Sequence, residues 1–141
     1  MLDQMKALAR SKNVCVLATI AGSKPYCSLM AYATDEECRE VYMATRRDTN
    51  KFRNLTENAS VSLLIDTRET LPRSQAQALT VEGVCAPIDD PARKDRARSR
   101  LLEKNPHLEK FLAHPECVLL RVEIKSFLLL KGLTEAHHAT L

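Results

Sequence analysis

The sequence predicts a mainly β fold, an antiparallel β-barrel of six or seven strands with short flanking α-helices. Three observations carry this reading. Short apolar, β-branched runs recur along the chain. Most are separated by turn chemistry at hairpin-like spacing. Few intervening segments have helical periodicity.

The elements follow in order. Leu2, Met5, Leu8 and Ala9 recur at helical spacing, so residues 2–11 form an amphipathic helix. Residues 14–20 are β-branched and apolar, a buried strand. Ala21-Gly22-Ser23-Lys24 is a turn closed by Pro25, and residues 26–33 return as the second strand of a hairpin. A polar turn through Asp35-Glu36-Glu37 precedes a third strand at 41–44. Residues 49–55 are a short helix with Thr49 as N-cap, Phe52 and Leu55 as its buried pair and Asn58 as its stop. A fourth strand, 61–65, is followed by a polar loop over 67–74. The fifth strand, 79–85, contains Gly83, which marks a bulge or bend. Asp90-Pro91 opens a charged helix that runs to about Lys104, with proline at its first position. Residues 117–124 are a sixth strand and 127–131 a seventh, and the last ten residues read as frayed. Residues 1–132 are thus expected to form one domain, and 133–141 a flexible tail.

Composition narrows the class. A chain of 141 residues can bury roughly 70% of its unfolded surface and needs no staple. No apolar run reaches the ~18 residues of a membrane span, and the N-terminus lacks an apolar signal core. A cytoplasmic protein with no membrane partner is expected. The cysteines number five, without a CxxC pair, which suits reduced thiols. Cys15, Cys27 and Cys85 lie in apolar runs and read as buried, inert thiols. His114 and Cys117 have H-x-x-C spacing, but no second pair completes a zinc site, so no metal is assigned. Nucleic acid is not the expected partner. The net charge is only +3, the basic run 93–100 is offset by nearby acids, and there is no Trp for base stacking.

The chemistry lies in Thr45-Arg46-Arg47-Asp48-Thr49-Asn50-Lys51-Phe52-Arg53, between a strand and a helix start. A helix N-terminus carries partial positive charge and favours acidic neighbours. Here four cations face one acid, Asp48, an arrangement that is costly unless an anion sits there. Hydroxyls on Thr45 and Thr49, the amide of Asn50 and free backbone N–H groups complete a phosphate-type site. A solvated basic turn with Thr49 acting only as an N-cap accounts for the same residues.

The order of strand, Gly turn, strand, strand, Thr…Lys turn-helix and Asn58-x-x-Val61-Ser62-Leu63 strand resembles the FMN-binding, pyridoxamine 5'-phosphate oxidase-like split-barrel family. Gln77-Ala78-Leu79-Thr80-Val81-Glu82-Gly83 and Val122-Glu123-Ile124 extend the likeness over residues 1–132. The resemblance implies a split β-barrel holding FMN at a homodimer interface. It maps the phosphate onto Thr45, Arg46, Thr49, Asn50 and Lys51, and the flavin ring onto the backbone of Ser28, Leu29 and Met30. It makes Gln77, or failing that Gln75, the polar residue near the ring. The family often has a second basic residue where this chain has Asn50. Family members that oxidise vitamin B6 carry a C-terminal Arg-x-His pair, absent from residues 127–132 here, so that activity is not expected. The small members that this chain resembles use FMN, the deazaflavin coenzyme F420 or occasionally haem; by that analogy His137-His138 would be haem-ligand candidates, and by the plainer reading they are solvated surface residues. An FMN-dependent oxidoreductase acting on a small redox substrate is the leading expectation. A flavin, deazaflavin or haem carrier or sensor is the alternative, and a nucleic-acid-binding β-barrel the lesser one.

Overall fold

Gly22, at φ +64, turns the chain between β1 (Val14–Ala21) and β2 (Lys24–Ala31), which pair in register from Val14↔Ala31 to Ala21↔Lys24. A two-residue hairpin turn needs positive φ there, which glycine adopts without cost. The computed structural model describes residues 1–141. Its remaining strands are β3 (Ala33–Thr34), β4 (Glu40–Arg46), β5 (Ser60–Asp66), β6 (Gln77–Pro87), β7 (Cys117–Lys131) and β8 (Glu135–Thr140). The helices are α1 (Leu2–Ser11), α2 (Asn50–Glu57), α3 (Pro91–Lys104) and α4 (Glu109–Ala113). All pairings are antiparallel, in the order β2-β1-β5-β6-β7-β4-β3, with β8 also on β7.

The two ends of that order are one stretch of chain, since β2 runs through Tyr32 into β3. The sheet therefore curls back on itself, and the fold is a mainly β split barrel. β3 covers only Val41 and Tyr42 of β4, and β2 has β1 as its single partner. A gap in the wall, without strand pairing, thus lies between β2 and the later half of β4.

Alternation sorts the side chains. Cys15 and Leu17 of β1 point inward with Met43, Leu63, Val81, Leu120 and Phe127. A second cluster, with Tyr42, Ala97, Leu101 and Leu119, lies between the barrel and α3. Asp90 caps α3 by accepting from the Arg93 amide at 3.0 Å, and Pro91 occupies its first turn. A bulge is present at Gly83's position, but its extra residue is Lys125 of the facing β7: the β6–β7 register shifts between Glu82 and Gly83.

Three expectations need correction. The predicted sixth and seventh strands are a single strand, β7, because β6 pairs with it from Leu120 to Lys131, on both sides of the unpaired Lys125. The frayed tail is strand β8, paired with β7 from Ser126↔Thr140 to Lys131↔Glu135, with Ala139 packed on the core. Gly132, at φ +61, makes the turn that sends it back. Cys27 is exposed, because its side of β1–β2 is the outer face of the barrel.

Candidate functional site

β4 ends at the gap with Thr45 turned inward, 1% exposed. The chain then turns and enters α2 at Thr49. The Phe52 amide donates to Thr49 Oγ1 at 3.1 Å, so Thr49 is the N-cap. Thr49 in turn donates its hydroxyl proton to the Arg46 carbonyl at 2.8 Å. In the 3.3 Å contact between the two threonine hydroxyls, Thr45 is therefore the donor and Thr49 the acceptor. Both hydroxyls are engaged in holding the turn.

The open donors are elsewhere. The Arg53 amide reaches the Thr49 carbonyl at 3.1 Å, while the amides of Asn50 and Lys51 have no acceptor. The first turn of α2 has no acidic residue. Arg46 is drawn to Asp48 through two 3.2 Å contacts, and Arg47 to Glu116 at 4.0 Å, its guanidinium 5.9 Å from the Phe52 ring. Asn50 Oδ1 accepts from Arg53 at 3.3 Å. Lys51 is half-buried and has no acidic partner, and burial holds its pKa below the usual lysine value. Two free amides and a partly desolvated ammonium at a helix N-terminus form an anion site.

Across the gap stands β2. Its outer edge has no strand partner, so alternate backbone groups along Lys24–Ala31 are open. Ser28 faces inward, half-exposed, Met30 is buried, and Leu29 points outward with 77% of its surface exposed. The structure thus sets Ser28, Leu29 and Met30 along one rim of the gap and Thr45, Arg46, Thr49, Asn50 and Lys51 at the other.

A family model for pyridoxamine 5'-phosphate oxidase matches residues 1–130. The chain belongs to the pyridoxamine 5'-phosphate oxidase family. Solved structures similar to this family member include a heme binding protein from Mycobacterium smegmatis, at 18% identity and a TM-score of 0.86, over 97% of this chain and 56% of that one. Campylobacter jejuni ChuZ matches at 13% identity and 0.84, over 99% of this chain and 58% of its own. An FAD-binding protein from Mesorhizobium loti matches at 18% identity and 0.74, over 99% and 96%. The chain thus spans little more than half the length of the first two. No match was found among curated proteins. At these identities the structural likeness shows the fold.

The structure does not bring Gln77 to this gap within one chain of the family fold. Gln77 pairs with Lys131, whereas Thr45 pairs with Val118, thirteen residues away along β7. That is roughly 40 Å of strand. Gln77 lies at the opposite end, its backbone N–H donating to Thr67 Oγ1 at 2.8 Å, and Gln75 sits in the neighbouring 3-10 turn. Sequence reasoning missed Thr19 and Asn54, whose buried side chains join at 3.3 Å and seat α2 on β1. The available signal was an amide beside Leu55, on the buried side of a short helix.

Proposed function

We propose that this chain binds FMN in a groove shared by two copies and works as a flavin-dependent oxidoreductase on a small redox substrate in the cytoplasm. One observation carries the reading: a half-buried, acid-free Lys51 beside two unbonded amides at the start of α2. Lys51 Nζ and the Asn50 and Lys51 amides would hold the phosphate, with Thr45 and Thr49 keeping the turn in shape. The open edge of β2 would bond the ring through the backbone at Ser28, Leu29 and Met30. Bound FMN supplies hydride and electron chemistry, and the protein's part is binding, orientation and electrostatics.

Two features support a homodimer. Leu29, Val16 and Leu64 fall in one cross-strand row on the outer face of the sheet, continued through Thr80 to Leu128, a largely apolar stripe that a second copy would cover. A flavin touching both the Lys51 turn and Gln77 would need them from different chains, given their separation. Five unpaired cysteines suit a reducing compartment.

The test is the chromophore of the purified protein, followed by FMN titration monitored by flavin fluorescence. Binding of one FMN per chain, with bleaching by a reduced nicotinamide under anaerobic conditions and turnover with an acceptor, supports the enzyme. Bleaching without turnover favours a carrier, and a deazaflavin spectrum changes the cofactor. A colourless protein that ignores added FMN ends the flavin reading. Haem is the second reading, favoured by the similar heme binding protein and by His138, which stands in register with Leu128 on the outer face. A Soret band would select it.

A further inference from the structure

A groove of about 600 Å³ opens between α3 and the β3–β4 turn, away from the Lys51 gap. Tyr42 lines it. This residue is only 4% exposed, with its ring packed in the cluster beneath α3. Its hydroxyl makes no hydrogen bond, whereas the other buried tyrosine, Tyr32, donates to the Ala9 carbonyl at 2.5 Å. The ring is buried, but the hydroxyl opens onto the groove, where a ligand can reach it.

The walls carry opposite charge. The turn contributes Asp35, Glu36, Glu37 and Glu40, and α3 contributes Arg96 and Arg100. Most of these are already committed. Glu40 pairs with Arg93 at 3.1 Å and Arg121 at 3.2 Å, and Glu37 pairs with Arg39 at 3.1 Å. Asp35 accepts from the Arg39 and Glu40 amides at 2.8 and 3.0 Å. Arg100 Nε donates to the Thr34 carbonyl at 2.5 Å. Glu36 on one wall and Arg96 on the other make neither a hydrogen bond nor an ion pair, Asp35 and Arg100 bond backbone groups only, and the Tyr42 hydroxyl lines the same groove. Burial and the carboxylates of Glu40 and Asp35 keep that hydroxyl protonated against the opposing pull of Arg96 and Arg93.

We propose that this groove is a binding site for a small zwitterion of the amino-acid type, its ammonium facing Glu36 and its carboxylate taking Arg96 and the Tyr42 hydroxyl proton. The site is independent of the flavin reading. Unlike charges held apart across a groove favour a ligand that spans them. A cation alone or an anion alone would leave one wall unpaired.

The experiment is an NMR titration of the full chain with ¹³C-labelled tyrosine rings, using L-glutamine, n-butylammonium and butyrate as probes. L-Glutamine is expected to shift the Tyr42 signals saturably, and the two single-charge probes to bind at least tenfold more weakly. Arg96→Gln should weaken L-glutamine about tenfold or more, and Tyr42→Phe, which keeps the ring packing, about threefold. No saturable shift in the wild-type chain, equal binding of a single-charge probe, or unchanged affinity in both variants would overturn the proposal.

Discussion

Asn54 Nδ2 donates to Thr19 Oγ1 at 3.3 Å, and both residues are buried, so one hydrogen bond ties the middle of α2 to the inner face of β1. The bond aims the N-terminus of α2 at the gap. Thr19→Val keeps the shape but leaves the amide of Asn54 buried without a partner, which costs about 1–3 kcal/mol. Urea denaturation should show that loss, and FMN titration a weaker site. Equal stability of Thr19→Val and wild type would show that the bond is dispensable.

Lys51→Met should separate binding from folding. Removing a charge that is partly desolvated and unpaired should leave the chain as stable as the wild type or slightly more so. FMN should bind about tenfold or more weakly, the ordinary worth of a charge-assisted contact. Calorimetric melting and fluorescence titration on one preparation give both numbers.

Alkaline stability should follow the buried thiols. Burial pushes Cys15 and Cys85 up from 9.0 to about 12, and Cys38 to about 11. Their folded values exceed their unfolded ones, so the stability they contribute is complete below pH 9 and is lost as pH rises from 9 toward 12. Each thiol adds a slope of up to about 1.4 kcal/mol per pH unit. Urea midpoints between pH 8 and 11 should fall steeply, and less steeply in Cys15→Ala. A flat profile would mean that these thiols ionise freely in the folded state.

Gly83→Ala tests the bulge. A Cβ there would lie 2.5 Å from the Glu123 carbonyl oxygen and 2.6 Å from Val122 Cγ1. Backbone cannot yield as a side-chain end does, so a loss of about 1–3 kcal/mol is expected. Thermal melting should reveal it, and a melting temperature equal to the wild type's would contradict the contact.

Leu29→Glu tests the shared face. At 77% exposure Leu29 supports little within a single chain, so the variant should fold. On the proposed dimer it places a charge in an apolar contact, and sedimentation should show monomers with impaired FMN binding. A wild-type chain that sediments as a monomer would remove the dimer altogether.

Where a signal is local, the sequence was readable. Hairpin chemistry at Gly22, the cap at Thr49, the Asp90-Pro91 helix start and the Gly83 bulge each lie within a few residues of the geometry they set. The charge excess around Lys51 was likewise visible, because helix polarity is a property of neighbouring peptides.

Tertiary structure alone decided the rest. Whether Arg46 is free depended on where Asp48 turned. The status of Cys27 depended on which face of β1–β2 met the core. Residues 135–140 became a strand because β7 offered an open edge beyond the end of β4, which a polar His-His segment does not announce. Gln77 stands far from Thr45 because β7 is one long strand rather than two. Local propensity sets the pieces, whereas exposure, pairing and distance belong to contacts between residues far apart in the chain.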